Sequence, residues 1–187
     1  MDCDRNNFRW IIYCIVLLSG CTSLQPNMSA RASNPAAFTV SGAIAAQNPQ
    51  HAWTAHFRWV HQSPQDYQIL IYGPLGADTL EITQHQNNVT YREGHKIVRA
   101  QNAEALLAKE AGIRLPVNHL AYWIKGNPAP GPTTSITRSS NHDIMTLKQA
   151  GYLLEYDQYN DHRPYKIRLT GHQLKVKIII KEWNDTH

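Results

Sequence analysis

Cysteine is scarce in this chain of 187 residues: it occurs three times, as Cys3, Cys14 and Cys21, and not at all after position 21. Whatever folds beyond that point has no disulfide available and must be held by its core. Long apolar runs are lacking as well. The greasy stretch near the N-terminus, Trp10 to Leu18, has about nine residues against the ~20 that a membrane-spanning helix needs. Charge of one sign is not in large excess, since 18 Lys and Arg against 14 Asp and Glu leave a formal net charge of +4. That modest balance favours an anionic partner but falls short of the clustered basic stripe of a nucleic-acid binder. Catalytic motifs are missing too. No HExxH, CxxC, Gly-x-Ser-x-Gly or nucleotide-binding loop occurs, and the ten histidines are scattered. His56 and His61 stand five apart on a strand pattern, which puts them on opposite faces. Asp157, Asp161 and His162 cluster in a stretch that reads as a loop with solvated charges. No metal site and no enzyme are expected.

What is present begins at the N-terminus. Arg5 and Arg9 precede the apolar run, and Leu18-Ser19-Gly20-Cys21 closes it. Residues 1–20 read as a secretory leader, and the ending resembles the lipobox of bacterial lipoproteins. In that pattern the cysteine thiol is acylated and the chain is cut just before it. The rest would then work beyond the inner membrane, held by lipid on Cys21. An ordinary cleavage site beside an incidental cysteine, or an uncleaved anchor, are the alternatives. Residues 21–36 read as a lipidated tether: Thr22 to Pro35 carries two prolines, three serines and almost no large apolar residue. As a random coil it would reach on the order of 20 Å.

Residues 37–187 read as one domain whose dominant period is two. Phe38, Val40, Gly42, Ile44 and Ala46 alternate with small or polar neighbours, and Trp53, Ala55, Phe57 and Trp59 do the same. Asp66 to Tyr72, Leu80 with Ile82, Val89 with Tyr91, and Lys96 to Ala100 continue the pattern, separated by turn signals such as Glu93-Gly94. Further on come Ile144–Lys148, Tyr152–Tyr156 across Ala150-Gly151, Tyr165–Leu169, and Leu174–Lys181 beyond Gly171-His172. Short connections predict antiparallel neighbours, with one apolar face and one bearing Lys and Arg. Two helices interrupt the strands. Asn102 can cap the first, with Leu106 and Leu107 inward and Gly112 at its end; Asn118 can cap the second, which carries Leu120, Trp123 and Ile124 and stops at Gly126. Prolines at 128, 130 and 132 then make a rigid crossing.

The fold class is therefore mainly β with short helices. A sheet of roughly ten strands curls towards a barrel, and two short helices would not fill it. An apolar cavity and a fully packed core both satisfy this pattern. The candidate wall is Val40, Ile44, Phe57, Trp59, Ile69, Ile71, Leu80 and Ile82 from the sheet, with Leu106, Leu120, Trp123 and Ile124 from the helices.

Between two strand patterns sits Gly73-Pro74-Leu75-Gly76. Proline fixes φ, the glycines permit a sharp reversal, and the tip is a leucine. A single exposed leucine needs no explanation; an apolar tip on a lipid-tethered domain also suits a wedge that probes a membrane.

From about Phe38 to Trp183 the chain resembles the LolB family of outer-membrane lipoproteins. The resemblance runs through FTVSGAIA, HFRW, DYQILIYGPLGADTLEI, NAEALLAKEAG, LPVNHLAYWIKGNPAPG and KIRLTGHQLKVKIIIKEW. It implies a strongly curved antiparallel sheet forming an unclosed β-barrel, capped by helices over an apolar cavity. It implies a receptor that accepts acylated lipoproteins from a periplasmic LolA-like carrier and incorporates them into the outer membrane. Pro74, Leu75 and Gly76 match the family's protruding membrane-insertion loop. Thr22 stands where an aspartate would act as an inner-membrane retention signal, which agrees with an outer-membrane address and a domain facing the periplasm. The Ile136–Asp143 stretch matches poorly, and nothing is carried over there. No cofactor is expected beyond covalent lipid on Cys21, and no nucleic-acid partner; the protein is expected to be a monomer. The alternative is a lipid- or acyl-chain-binding lipoprotein without insertion activity.

Overall fold

Period-two alternation becomes a single sheet of eleven antiparallel strands in the computed structural model, which describes residues 35–73, 76, 79–110 and 112–184. The expected leader, Cys21 and most of the tether, and the loop residues Pro74 and Leu75, lie outside the described residues.

The first six strands are β1 (Phe38–Gln47), β2 (Ala52–Ser63), β3 (Asp66–Tyr72), β4 (Leu80–His85), β5 (Asn88–Glu93) and β6 (Lys96–Ala100). Helices α1 (Ala103–Glu110) and α2 (Val117–Trp123) follow. The chain then returns through β7 (Thr133–Arg138), β8 (Ile144–Gln149), β9 (Tyr152–Asn160), β10 (Arg163–Gly171) and β11 (Leu174–Asn184). Strand order is β6-β5-β4-β3-β2-β1-β11-β10-β9-β8-β7. Every neighbour is also a neighbour in sequence except β1 and β11, which join the two halves. The sheet does not close: it ends at β6 on one side and β7 on the other, and the helices are the chain that runs between those edges.

Alternation sorts the faces as expected. On β11, Leu174, Val176, Ile178 and Ile180 are buried while Lys175, Lys177 and Lys181 are exposed. Asn102 caps α1, its Oδ1 accepting from the Glu104 and Ala105 N–H groups at 2.8 and 3.2 Å. Gly112, in the left-handed region at φ +65°, follows it.

Three details differ from the sequence reading. Helix α2 is not capped by Asn118, which is exposed within its first turn. It starts two residues earlier behind Pro116, whose extended backbone (φ −74°, ψ 90°) offers a carbonyl to Leu120 N–H at 2.9 Å. An additional strand, β7, lies at Thr133–Arg138; it is exposed at every position, so no apolar alternation marked it. Finally, Asp157 is a strand residue of β9 that accepts from Lys166 Nζ across to β10 at 2.8 Å. Asp161 and His162 form the tight turn that follows, and His162 Nδ1 lies 2.7 Å from Asp143 Oδ1. The acids are spread over a hairpin rather than gathered in one loop.

Register places Gly42 opposite Phe57 on one side and Ile180 on the other, beside a bulge at Ser41/Gly42. A Cβ there would collide with the Ile179 carbonyl. Gly42→Ala is expected to pry β11 from β1 and lower stability by about 1–3 kcal/mol, read as a fall in the midpoint of urea unfolding at unchanged slope.

Candidate functional site

Strand register gives the sheet two ends. At one lie the β1–β2 turn, the β3–β4 connection and the β10–β11 turn; there Ala46 pairs with both Trp53 and Val176, and Ile71 with Phe57 and Leu80. At the other, Phe38 pairs with His61, His61 with Tyr67, and Val40 with Trp183.

The second end is sealed by rings. Phe38 and His61 stack with centroids 4.9 Å apart and planes 4° from parallel, and Tyr67 lies parallel to His61 at 6.4 Å. Trp59 and Trp183 meet Phe38 edge-on at 5.4 and 5.8 Å. Lys125 Nζ stands 5.5 Å from the centre of the Phe38 ring. Phe38 is fully buried and His61 is 1% exposed. Burial pushes the His61 imidazole down to about 4, with the nearby Lys125 charge adding to the effect, so the ring is neutral at pH 7. His61 Nδ1, Trp59 Nε1 and Tyr67 OH have no hydrogen-bond partner among the described residues.

Above this plug the interior holds a cavity of about 80 Å³ with an apolar wall throughout. From the expected set, Ile44, Phe57, Trp59, Ile69, Ile71 and Ile82 line it from the sheet, and Leu120 and Ile124 from above. Val40, Leu80, Leu106 and Trp123 were expected there and are not on the wall. Val40 and Leu106 are buried in the core, and Leu80 is a partly buried residue packed against it. Trp123 is engaged elsewhere, its Nε1 donating to Gln149 Oε1 at 2.8 Å.

The wall also takes residues the sequence reading missed. Val176 and Ile178 come from β11, whose pairing with β1 no local signal announces. Leu107 takes the place given to Leu106; both are buried on an eight-residue helix, and inward spacing does not separate them. Ile113 and Leu115 belong to the connection between the helices, where alternation at period two was the signal available, and Val117 is the first residue of α2. Ala46 and Trp53 complete the set. The half-buried members Ile44, Trp53, Ile71, Ile113 and Leu115 lie on or beside the strand ends opposite the ring plug, so that end is the accessible one.

The roof is held at few points. Gln149, 2% exposed, joins α2, the proline-rich crossing and β8. Beyond the bond from Trp123, its Oε1 accepts from Ala129 N–H at 2.9 Å, and its Nε2 donates to Ala129 O at 2.7 Å and Thr133 Oγ1 at 3.2 Å. Tyr152 OH donates to the Arg114 carbonyl. On the other edge Lys96 of β6 pairs with Glu110 of α1; that contact raises the Lys96 ammonium and lowers the Glu110 carboxyl.

The β3–β4 connection emerges at the accessible end. Gly76 N–H donates to Gly73 O at 3.2 Å, Thr79 Oγ1 donates to Gly76 O at 3.2 Å, and Gly76 adopts φ +77°. A left-handed residue with no Cβ completes this reversal without strain. Of the expected loop residues, Gly76 is exposed; Pro74 and Leu75 fall in the part of the reversal that lies outside the described residues.

Comparison with known proteins bears on this geometry. Residues 36–183 match the family model described as "Outer membrane lipoprotein LolB". The chain is 34% identical over 158 residues to the outer-membrane lipoprotein LolB of Cellvibrio japonicus, covering 79% of this chain and 77% of that protein. It is 32% identical over 188 residues to the protein of the same name from Stutzerimonas stutzeri, covering 90% of each. Among solved structures, a LolA superfamily protein from Nitrosomonas europaea superimposes with a TM-score of 0.53 at 12% identity, over 82% of this chain and 87% of that one. At that identity the likeness is one of fold: a mainly β domain with one large unclosed sheet.

His61 yields a test of the ring plug. A folded-state value of about 4, below the ~6.5 of an exposed imidazole, means that the unfolded chain binds the extra proton first as pH falls. The contribution of the neutral ring is complete above pH ~6.5 and is lost progressively down to about pH 4, roughly 2–4 kcal/mol in all. His61→Phe is expected to flatten that part of the stability curve, measured as urea midpoints between neutral pH and pH 4.

Proposed function

Because this chain belongs to the LolB family of outer-membrane lipoproteins, we propose that it accepts acylated lipoproteins from a periplasmic carrier into its apolar cavity and incorporates them into the outer membrane. The observation that carries this reading is a cavity with no polar wall, plugged at one end and rimmed by half-buried aliphatic and aromatic residues at the other. Lipid on Cys21 would hold the domain at the outer membrane, facing the periplasm. The carrier would be LolA-like, and cargo would pass between two mouths that meet.

No bond is made or broken in this reading, and no cofactor takes part. Burying each methylene is worth ~0.8 kcal/mol, so exposing three acyl chains to water would cost tens of kcal/mol. Transfer therefore needs cavities in contact, and affinities that rise from carrier to receptor to bilayer. The volume of about 80 Å³ is below the roughly 300–1,000 Å³ of sites that enclose a drug-sized ligand. Acyl chains would enter by lifting the helical roof, whose attachments include the Gln149 bonds, the Tyr152–Arg114 contact and the Lys96–Glu110 pair. The β3–β4 loop would put the Leu75 side chain into the membrane beside the rim through which cargo leaves.

Two variants separate delivery from simple lipid binding. Leu75→Glu is expected to leave the fold and acyl binding intact while blocking incorporation of lipoprotein into outer-membrane vesicles. Unimpaired incorporation would remove the loop from the mechanism. Leu120→Trp fills the cavity, and is expected to abolish uptake of cargo from loaded carrier at a stability cost of about 1–3 kcal/mol. If cargo still leaves the carrier for this folded variant, acyl chains do not use the cavity.

A further inference from the structure

The outer face of the sheet, near the accessible end, carries a depression of about 490 Å³ across β2, β1, β11 and β10. Two register rows build it. Thr54, Ala45, Lys177 and Arg168 lie directly across from one another, and Gln47 with Lys175 form the next row towards the end of the sheet. Small side chains on β1 and β2 leave the hollow, and cations from β10 and β11 form its other wall.

The pairing of Lys177 with Arg168 is unfavourable. Like charges directly opposite on neighbouring strands destabilise a sheet. Arg168 is partly compensated by Glu155 at 3.4 Å. Lys175 and Lys177 have no ion-pair or hydrogen-bond partner among the described residues, and both are exposed. Uncompensated cations converging on a hollow describe a site for a multivalent oxyanion. The depression also touches Ala46, Trp53 and Val176, which line the apolar cavity. Anion site and cavity rim are thus the outer and inner faces of the same strand ends.

We propose that this hollow binds the phosphate of an anionic membrane phospholipid, seating the rim of the cavity against the bilayer. A phosphate bridging Lys175, Lys177 and Arg168 supplies the missing counter-charge. An adjoining apolar rim suits a ligand whose charged head is attached to hydrocarbon, which favours lipid over an acidic protein face. Lysine stems suit such a site, because they keep the ammonium at headgroup level while their methylenes lie along apolar surface.

The test uses a chain beginning at Thr22, which lacks the lipid anchor but keeps every described strand and helix. No cargo is present, so the outcome stands apart from the delivery reading. Co-sedimentation is measured with vesicles of phosphatidylcholine, with and without phosphatidylglycerol. Binding is expected only when phosphatidylglycerol is present, and to weaken as salt rises. The double variant Lys175→Gln, Lys177→Gln is expected to bind roughly tenfold more weakly or worse, with a melting temperature at or above that of the parent. Arg99→Gln, on β6, serves as the control for loss of a cation elsewhere on the sheet and is expected to weaken binding far less. Equal binding by parent and double variant would overturn the proposal, as would binding of inorganic phosphate by a chain that does not sediment with phosphatidylglycerol vesicles, which would mark a free-anion site. Loss of carrier binding with vesicle binding intact would overturn it in favour of an acidic protein partner.

Discussion

The seam between β6 and β7 governs this molecule. Backbone hydrogen bonds run without a break from one edge strand round to the other and stop there. Had the ladder closed, the interior would be fenced by main-chain bonds on all sides, and opening it would mean breaking a cooperative sheet. Instead the gap is bridged by two short helices whose attachment is made of side chains. Gln149 is the strongest of these points because all its polar capacity is used in a buried setting: Trp123 and Ala129 at its oxygen, Ala129 and Thr133 at its nitrogen. Each such bond is worth only ~1 kcal/mol net. A roof held this way can shift as a unit while the sheet beneath it stays intact.

Polarity and packing divide along the sheet in a way the seam alone does not require. Towards Phe38 the interior is filled by stacked and edge-on rings, with a histidine kept neutral by burial. Towards Ala46 it is lined by aliphatic side chains and Trp53, several of them half-exposed. Trp59 Nε1, His61 Nδ1, Tyr67 OH and Trp183 Nε1, buried without hydrogen-bond partners among the described residues, lie at the plugged end, whereas the exposed surface of the cavity wall is apolar. The apolar wall is thereby accessible at the end where the β3–β4 connection leaves the sheet. An apolar interior, its rim and the outer cationic hollow are all set by the register of the same strands.

Most of the sheet was legible because alternation at period two and turn dipeptides are local signals. Asp66–Tyr72 was read with the boundaries it has, and Asn102 and Gly112 bracket α1 as their chemistry demands. What escaped was non-local or lacked contrast. β7 is an edge strand exposed at every position, with Ile136 its one large apolar residue, so no alternation identified it. β11 had to find β1 across the length of the chain, and with that pairing came Val176 and Ile178 as wall residues. Trp123 looked like cavity lining by size and spacing, but an indole buried within reach of a glutamine is worth more as a donor than as bare surface. Loop chemistry was legible at Gly76, whose positive φ is a backbone demand, whereas the role given to Leu75 rests on family likeness and on the Gly-Pro-Leu-Gly sequence around it.

The small volume of the cavity also bears on the delivery reading. In the delivery reading, a receptor whose apolar walls stayed apart when empty would hold acyl chains with their full transfer free energy and release them only slowly. Here the side chains of α1, α2 and their connection pack towards the sheet and leave about 80 Å³. In that reading cargo would have to displace contacts that the roof makes with the wall. Those contacts are regained when the chains depart. Roof closure would thus compete with cargo for the same wall, and would lower affinity without introducing a polar group. Leu120 and Ile124 from α2 and its C-terminal end, set against Phe57, Trp59 and Ile69 on the sheet, are the residues between which that competition is decided.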